Sequence, residues 1–140
     1  MMTLNTGVNR YQQNTINTAS SQELTMMLYN GLVRFIKSSV LSLDNNNLEE
    51  ANNFNVRAQD IITEFMLTLD MRYEVSSNLM ALYDYMKRRL IEANIKKDKE
   101  ITVEVQGYAE ELRDTWFQAM KIAKQQVAQV SQVSQVAQAK

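Results

Sequence analysis

Helix breakers are almost absent from this chain. Its 140 residues include no proline and three glycines, and 45% of them are hydrophobic. Proline and glycine are the residues that most disfavour a helix interior. The combination therefore favours an all-helical protein. A single domain of this length can bury enough apolar surface to form its own core.

The segment Asn78–Asn94 shows a helical pattern most clearly. At 100° per residue, its side chains separate into two stripes about 120° apart. The first stripe is typical of a buried face and consists of Leu79, Leu82, Tyr83, Met86, Leu90 and Ala93. The second stripe consists of Asn78, Ala81, Tyr85, Arg88, Arg89 and Glu92. Small, aromatic and arginine side chains on a face that the core does not need indicate a contact surface.

The first helix is predicted to begin near Ser20, because Ser20 and Glu23 have the spacing of a capping box, and to end near Leu43. One face is assigned to its apolar and small residues. These are Leu24, Met27, Leu28, Gly31, Leu32, Phe35, Ile36 and Ser39. Gly31 is explained either by close helix packing or by room for a partner backbone.

The turn at Asp44–Asn47 separates the first helix from the second, which Asn46 is expected to cap together with Glu49. The third helix begins near Val75, and the fourth follows Asp98 as its N-cap. Four helices of about 20 residues with short connections predict an antiparallel, up-down-up-down four-helix bundle.

The two ends of the chain differ from the bundle, which we assign to residues 20–124. Residues 1–19 are polar and sustain no helical face, so we expect a mobile N-terminal arm. Residues 125–140 form a low-complexity tail with valines at every third position. Each step of three residues rotates this stripe by about 60° away from a single face. The pattern predicts a helix that frays into disorder.

The composition argues against catalysis. Histidine and cysteine are absent, which removes the commonest general base, the thiol nucleophile and the commonest metal ligands. The carboxylates are scattered, and the three glycines are isolated and form no phosphate-binding loop. We therefore expect no enzyme, no catalytic residue, no cofactor and no metal.

Charge and hydropathy limit the classes of partner that this chain is expected to bind. The net charge of −1 provides no overall attraction for nucleic acid, and no apolar run approaches the length that would insert into a membrane. The N-terminus lacks the apolar segment of a signal peptide, so the cytoplasm is the expected location. A local basic cluster consists of Lys87, Arg88, Arg89, Lys96, Lys97 and Lys99. It is explained by favourable cations at a helix C-terminus or by an acidic patch on a protein partner.

Two tyrosines lie away from any predicted core. Tyr85 is off the apolar stripe of its helix, and Tyr11 is in the polar arm beside few apolar residues. An aromatic side chain on a mobile arm suggests an anchor that docks into a groove and can leave it. A static cap on the bundle is the alternative for Tyr11.

Three blocks of sequence carry a family resemblance. Gly7–Tyr11 places an apolar residue three positions before a tyrosine, and Ala19–Gly31 joins an Ala-Ser start to a Met-Leu-Tyr-Asn-Gly run. The third block is Asn78–Asn94, and Trp116 follows late in the last helix. With these motifs the chain resembles the flagellin-specific export chaperone family (FliS).

This resemblance covers about residues 7–123 and leaves out the valine-glutamine tail. Ser21 stands where the family often has proline. Proline favours the first position of a helix, but serine can itself cap a helix. The departure therefore affects the exact first residue of the helix and not the family resemblance. The resemblance implies a cytoplasmic bundle that binds the disordered C-terminal segment of flagellin and blocks premature polymerisation. It also implies delivery of flagellin to the export gate protein FlhA of the flagellar type III secretion apparatus.

We hypothesise that the arm covers an apolar groove in the free protein and that the client segment displaces it. The predicted partner-binding residues are Val8, Tyr11, Leu28, Asn78, Ala81, Leu82, Tyr85, Arg88, Arg89 and Asn94. Two alternatives stay open. A structural bundle would self-associate, with a weak homodimer as its simplest form, and a nucleic-acid binder would show steep salt dependence.

Overall fold

Four helices form the structure, a computed structural model that describes residues 20–139 and the side chains as far as Ser134. They are α1, Ser21–Asp44; α2, Leu48–Thr68; α3, Ser76–Lys96; and α4, Lys99–Ala139. α1 and α3 each pack against both α2 and α4, and short connections make consecutive helices antiparallel. The predicted all-α, up-down-up-down four-helix bundle is confirmed. Within residues 20–139, none of the helices has the length and hydropathy needed to cross a bilayer.

Two helices begin where the sequence predicts their caps. At α1, the Ser20 hydroxyl accepts a hydrogen bond from the Glu23 N–H (3.2 Å), and the Glu23 carboxylate accepts one from the Ser20 N–H (3.3 Å). At α4, the Asp98 carboxylate accepts a hydrogen bond from the Ile101 N–H (3.1 Å). Each bond satisfies a backbone N–H that has no partner within its own helix.

The N-cap of α2 differs from the prediction by one residue. Asn47 caps this helix instead of Asn46, and its side-chain oxygen accepts a hydrogen bond from the Glu50 N–H (3.2 Å). Asn46 adopts a φ of 55°, in the left-handed region that asparagine tolerates better than most residues. Because Asn46 is used to reverse the chain after α1, the cap moves to the next asparagine.

A single apolar core runs through the bundle. Its largest fully buried apolar side chains are Leu32, Ile36, Ile62, Met86, Leu90 and Val105. The apolar stripe of α3 faces this core, with four of its six residues buried, while Leu79 and Leu82 are partly buried against it. The buried face predicted for α3 is therefore confirmed.

Two buried tyrosines connect opposite corners of the bundle. Tyr29 of α1 and Tyr83 of α3 share a hydrogen bond of 2.7 Å between their hydroxyls. Phe65 of α2 stacks on both rings, with centroid distances of 4.5 and 5.5 Å. Burial raises the pKa of both tyrosines, so the hydroxyls stay protonated and one of them donates to the other.

The low-complexity segment after Gln125, for which the sequence predicts a helix that frays into disorder, is part of α4. α4 continues to Ala139, because the segment contains only glutamine, alanine, valine and serine and no residue that must end a helix. From Lys124 to Ser134 every side chain is exposed. Between Lys124 and Ser134, α4 thus extends beyond the core with its side chains exposed among the described residues.

Replacing Leu90 with alanine should lower the free energy of unfolding by about 2–5 kcal/mol, because it removes a fully buried side chain and leaves a cavity. Urea denaturation followed by circular dichroism measures the change. Ile95→Ala is the matched control on the same helix, since Ile95 is 79% exposed, and it should change stability by at most about 0.5 kcal/mol. Equal losses for both variants would contradict the assignment of the core.

Candidate functional site

An apolar groove lies between α1 and α2. It encloses about 720 Å³ and is lined mainly by hydrophobic side chains. These are Leu24, Met27, Leu28, Phe35 and Ile61, with Gly31 completing the wall. Clefts of this size with mostly apolar walls are typical ligand sites. Among the predicted partner-binding residues that the structure describes, only Leu28 lines this groove.

Gly31 keeps the two walls of the groove close together. It is buried, and a Cβ at this position would lie 3.4 Å from the Ile61 side chain. The α1 backbone therefore approaches α2 closely, and no side chain projects from Gly31 into the groove. Gly31 therefore fits both explanations, close helix packing and room for a partner backbone, because it lets α1 approach α2 and adds no side chain to the cavity.

Charged side chains border the groove. The guanidinium carbons of Arg34 and Arg57 lie 5.3 and 5.6 Å from the ring centroid of Phe35, distances at which a cation is attracted to an aromatic face. Arg34 and Glu64 also line the cavity. The groove thus has an apolar interior and a charged rim.

A polar network joins α3 to α4. The Tyr85 hydroxyl donates a hydrogen bond to Glu104 (3.1 Å), and the Arg89 guanidinium donates to the same carboxylate oxygen (3.0 Å) and to Glu92 (2.6 Å). The Tyr85 ring meets Tyr108 edge-on, with centroids 6.0 Å apart. Tyr85 and Arg89, predicted as partner contacts, are therefore already engaged with neighbours in their own chain.

Other residues of the second α3 stripe remain more accessible. Asn78, Ala81 and Arg88 are exposed. Arg88 pairs with Asp84 (2.9 Å) and lies 5.8 Å from the centre of the Tyr85 ring. This part of α3 presents polar and small side chains beside the Tyr85–Arg89–Glu104 network.

Asn94 lies at a different seam, between α2 and α3. Its amide donates a hydrogen bond to Asn52 of α2 (2.7 Å), and Lys97 donates to both its side-chain and backbone oxygens (2.6 and 2.8 Å). Lys97, part of the basic cluster, adopts a φ of 51° at the end of α3. These contacts give Asn94 a role in ending α3.

The predicted residues do not form one patch. Leu28 is in the groove, Tyr85 and Arg89 are at the α3–α4 seam, and Asn94 is at the α2–α3 seam. Leu82 is partly buried against the core. Val8 and Tyr11 lie outside the described residues. Periodicity along one helix identified a second stripe on α3 but not which neighbour each of its residues meets.

The sequence suggests an apolar groove but does not place it between α1 and α2, although it contains a signal for that position. The single face predicted for the first helix contains both Met27 and Ile36, yet nine residues rotate a helix by about 900°, which puts these two side chains on opposite sides. In the structure Ile36 is buried, whereas Met27 is 39% exposed at the groove. An apolar stripe too wide for one core contact indicates a second apolar surface.

A family model described as "Flagellar protein FliS" matches residues 4–123. The chain belongs to the FliS family. The Flagellar secretion chaperone FliS of Bacillus subtilis (strain 168) is 46% identical over 111 residues, covering 79% of this chain and 84% of its own. The protein of that name from Escherichia coli (strain K12) is 29% identical over 111 residues, covering 77% and 82%. The family resemblance inferred from the sequence motifs is therefore confirmed.

A solved structure shares the fold of this chain. The crystal structure of a flagellar chaperone from bacteria superposes with a TM-score of 0.67 at 19% identity, covering 82% of this chain and 95% of the other. The FliS family model ends at residue 123, close to the point where α4 leaves the bundle. The protruding part of α4 lies outside the matched region.

The Arg89–Glu104 pair should make stability depend on pH. The Arg89 hydrogen bond, supported by Tyr85, holds the pKa of Glu104 below its ordinary value of 4.5. A lowered folded-state pKa stabilises the protein above the unfolded value and loses this contribution as pH falls through the folded value. Glu104→Gln should therefore be less stable than the parent at pH 7, and the loss should be small because the ion pair is only partly buried.

Urea titrations between about pH 7 and pH 3 would measure this difference, which should shrink as Glu104 of the parent becomes protonated. Glu111→Gln is the control, because Glu111 is exposed and forms no ion pair with the other described residues. A difference for Glu104→Gln that stays constant with pH would show that the ion pair does not stabilise the fold.

Proposed function

We propose that this chain is a cytoplasmic export chaperone that binds the disordered C-terminal segment of flagellin. By holding that segment it prevents premature polymerisation and supports delivery of flagellin to the flagellar type III secretion apparatus. Membership of the FliS family supports this proposal, because curated relatives are flagellar secretion chaperones. The observation that carries the proposal is the open apolar groove between α1 and α2.

The groove suits a client that folds as it binds. Amphipathic helices dock through apolar side chains into grooves of this kind. A disordered segment that becomes helical loses conformational entropy, which limits its affinity for a given contact area and favours later release. Both properties fit a chaperone that must give up its client to an export machine.

The N-terminal arm is the proposed occupant of the groove in the free protein. It joins α1 at Ser20, four residues before Leu24 at one end of the groove. Val8 and Tyr11 of the arm would supply apolar anchors, and the client segment would displace them. Asn78, Ala81, Leu82, Tyr85, Arg88, Arg89 and Asn94 stay proposed contacts for parts of the client beyond the groove.

Delivery requires a second partner. We assign that role to the export gate protein FlhA, on the family resemblance described above. A weak homodimer is a further prediction, which sedimentation at several concentrations would test. We expect this chain to need no cofactor for binding either partner.

Calorimetry with the last ~60 residues of flagellin from the same organism tests the function. A segment of this length allows several helices to fold on the bundle. We expect saturable one-to-one binding, a negative heat-capacity change and a gain of helicity, the signs of coupled folding and binding. Absence of binding by the folded protein would refute the function.

Two matched variants on α1 locate the binding surface. Met27→Asp places a charge in the groove and should weaken binding at least tenfold, because an unpaired charge would lose its water when the client docks. Leu41→Asp makes the same kind of change outside the groove, at a residue that is 61% exposed, and should change affinity by less than about twofold. If the two variants bind equally well, the groove is not the client site.

Gly31→Ala should separate stability from binding. Alanine favours a helix over glycine by about 1 kcal/mol, and its Cβ would meet Ile61 at an acceptable 3.4 Å. The variant should therefore be as stable as the parent or more so in urea denaturation. It should nevertheless bind the flagellin segment more weakly, because the added methyl group fills the wall of the groove. Unchanged affinity would place the client elsewhere.

A further inference from the structure

The rim of the α1–α2 groove is electrically polarised along its length. Arg34 and Arg57 flank Phe35 at one end. Glu64 lines the groove seven residues further along α2 than Arg57, a separation of about 10 Å in a helix. One end of the groove is therefore positive, and the stretch toward the other end is negative.

These three charges are available to a ligand. Among the described residues, Arg34, Arg57 and Glu64 form no ion pair and their side chains make no hydrogen bond. Asp60 is also exposed on α2 between Arg57 and Glu64, but it does not line the cavity. Arg57 does not line the cavity either, so the polarity at the cavity wall comes from Arg34 and Glu64, while Arg57 lies over Phe35 at the Arg34 end.

The length of the groove fits one short helix. Its α1 wall extends from Leu24 to Phe35, twelve residues whose ends are about 16 Å apart, which corresponds to three helical turns. A helix lying there would place apolar side chains at positions i, i+3 or i+4, and i+7 along the interior. The wall is too short for more than one such segment end to end.

We propose that the groove takes one amphipathic helix of the client in a single direction, parallel to α1. This inference rests on the proposed function. A helix has a positive N-terminus and a negative C-terminus, because its terminal N–H and C=O groups are unpaired. The parallel direction brings the N-terminus toward Glu64 and the C-terminus toward Arg34 and Arg57. The opposite direction would place like charges together at both ends.

Spin labelling can determine the direction, because the chain has no native cysteine. Asn53→Cys and Thr68→Cys are exposed positions on α2 beyond the positive and negative ends of the groove. A nitroxide at either position broadens nearby NMR signals of an isotope-labelled flagellin segment of ~60 residues. We expect the Thr68→Cys label to broaden the N-terminal part of the groove-bound helix and the Asn53→Cys label to broaden its C-terminal part.

The outcomes separate this inference from the proposed function. The reverse pattern, or equal broadening of both ends by both labels, would overturn the direction while binding itself stands. Binding without broadening of any helical segment would overturn the groove assignment. Failure of the unlabelled full-length protein to bind in calorimetry would refute the function itself.

Charge reversal provides a second test. Arg34→Glu should weaken binding by about two- to fivefold at low salt, the size of effect expected for one charge at a helix end, and the loss should shrink in 0.5 M salt. Lys124→Glu is the matched control, because Lys124 is exposed on the protruding part of α4. An equal loss for both variants would show that only net charge matters and would overturn the role of the rim.

Discussion

The hydrogen bond between Tyr29 and Tyr83 is the contact on which the arrangement of the helices depends. It joins α1 to α3 across the bundle, and Phe65 of α2 stacks on both rings. A buried hydroxyl without a partner costs about 1–3 kcal/mol, so each tyrosine requires the other at this position. The stacking of Phe65 on Tyr29 also joins α1 to α2, close to the place where Gly31 lies against Ile61 at the groove.

The polar network at the α3–α4 seam and the charged rim of the α1–α2 groove differ in how many of their groups already have hydrogen-bond or ion-pair partners. Tyr85 and Arg89 are bonded to Glu104 and hold α3 against α4. The groove on the other side of the bundle has an apolar interior and charges without partners in the described chain. A surface whose groups are paired internally gains less from a ligand than one whose groups are still hydrated and free to pair. This contrast favours the groove as the principal binding surface.

The sequence predicted the fold well because the fold depends on local patterns. Apolar spacing in α3 identified its buried face, and Ser20, Glu23 and Asp98 identified two helix starts. The predicted N-cap of α2 was wrong by one residue. Asn46 and Asn47 have the same side chain, and only their backbone conformations distinguish their roles. The position of the groove was not predicted, because the groove is formed by two helices and depends on how they pack. The width of the α1 stripe was its only local sign.

The protruding part of α4 has a consequence for spectroscopy of the intact protein. Its side chains from Lys124 to Ser134 are exposed, and a helix of about 15 residues without tertiary contacts is marginal in water. Helix in this part of the chain therefore melts progressively with temperature, whereas the bundle unfolds cooperatively. The far-ultraviolet ellipticity of the protein should slope steadily before the main transition, and that slope reports the end of α4 and not a loosening of the bundle.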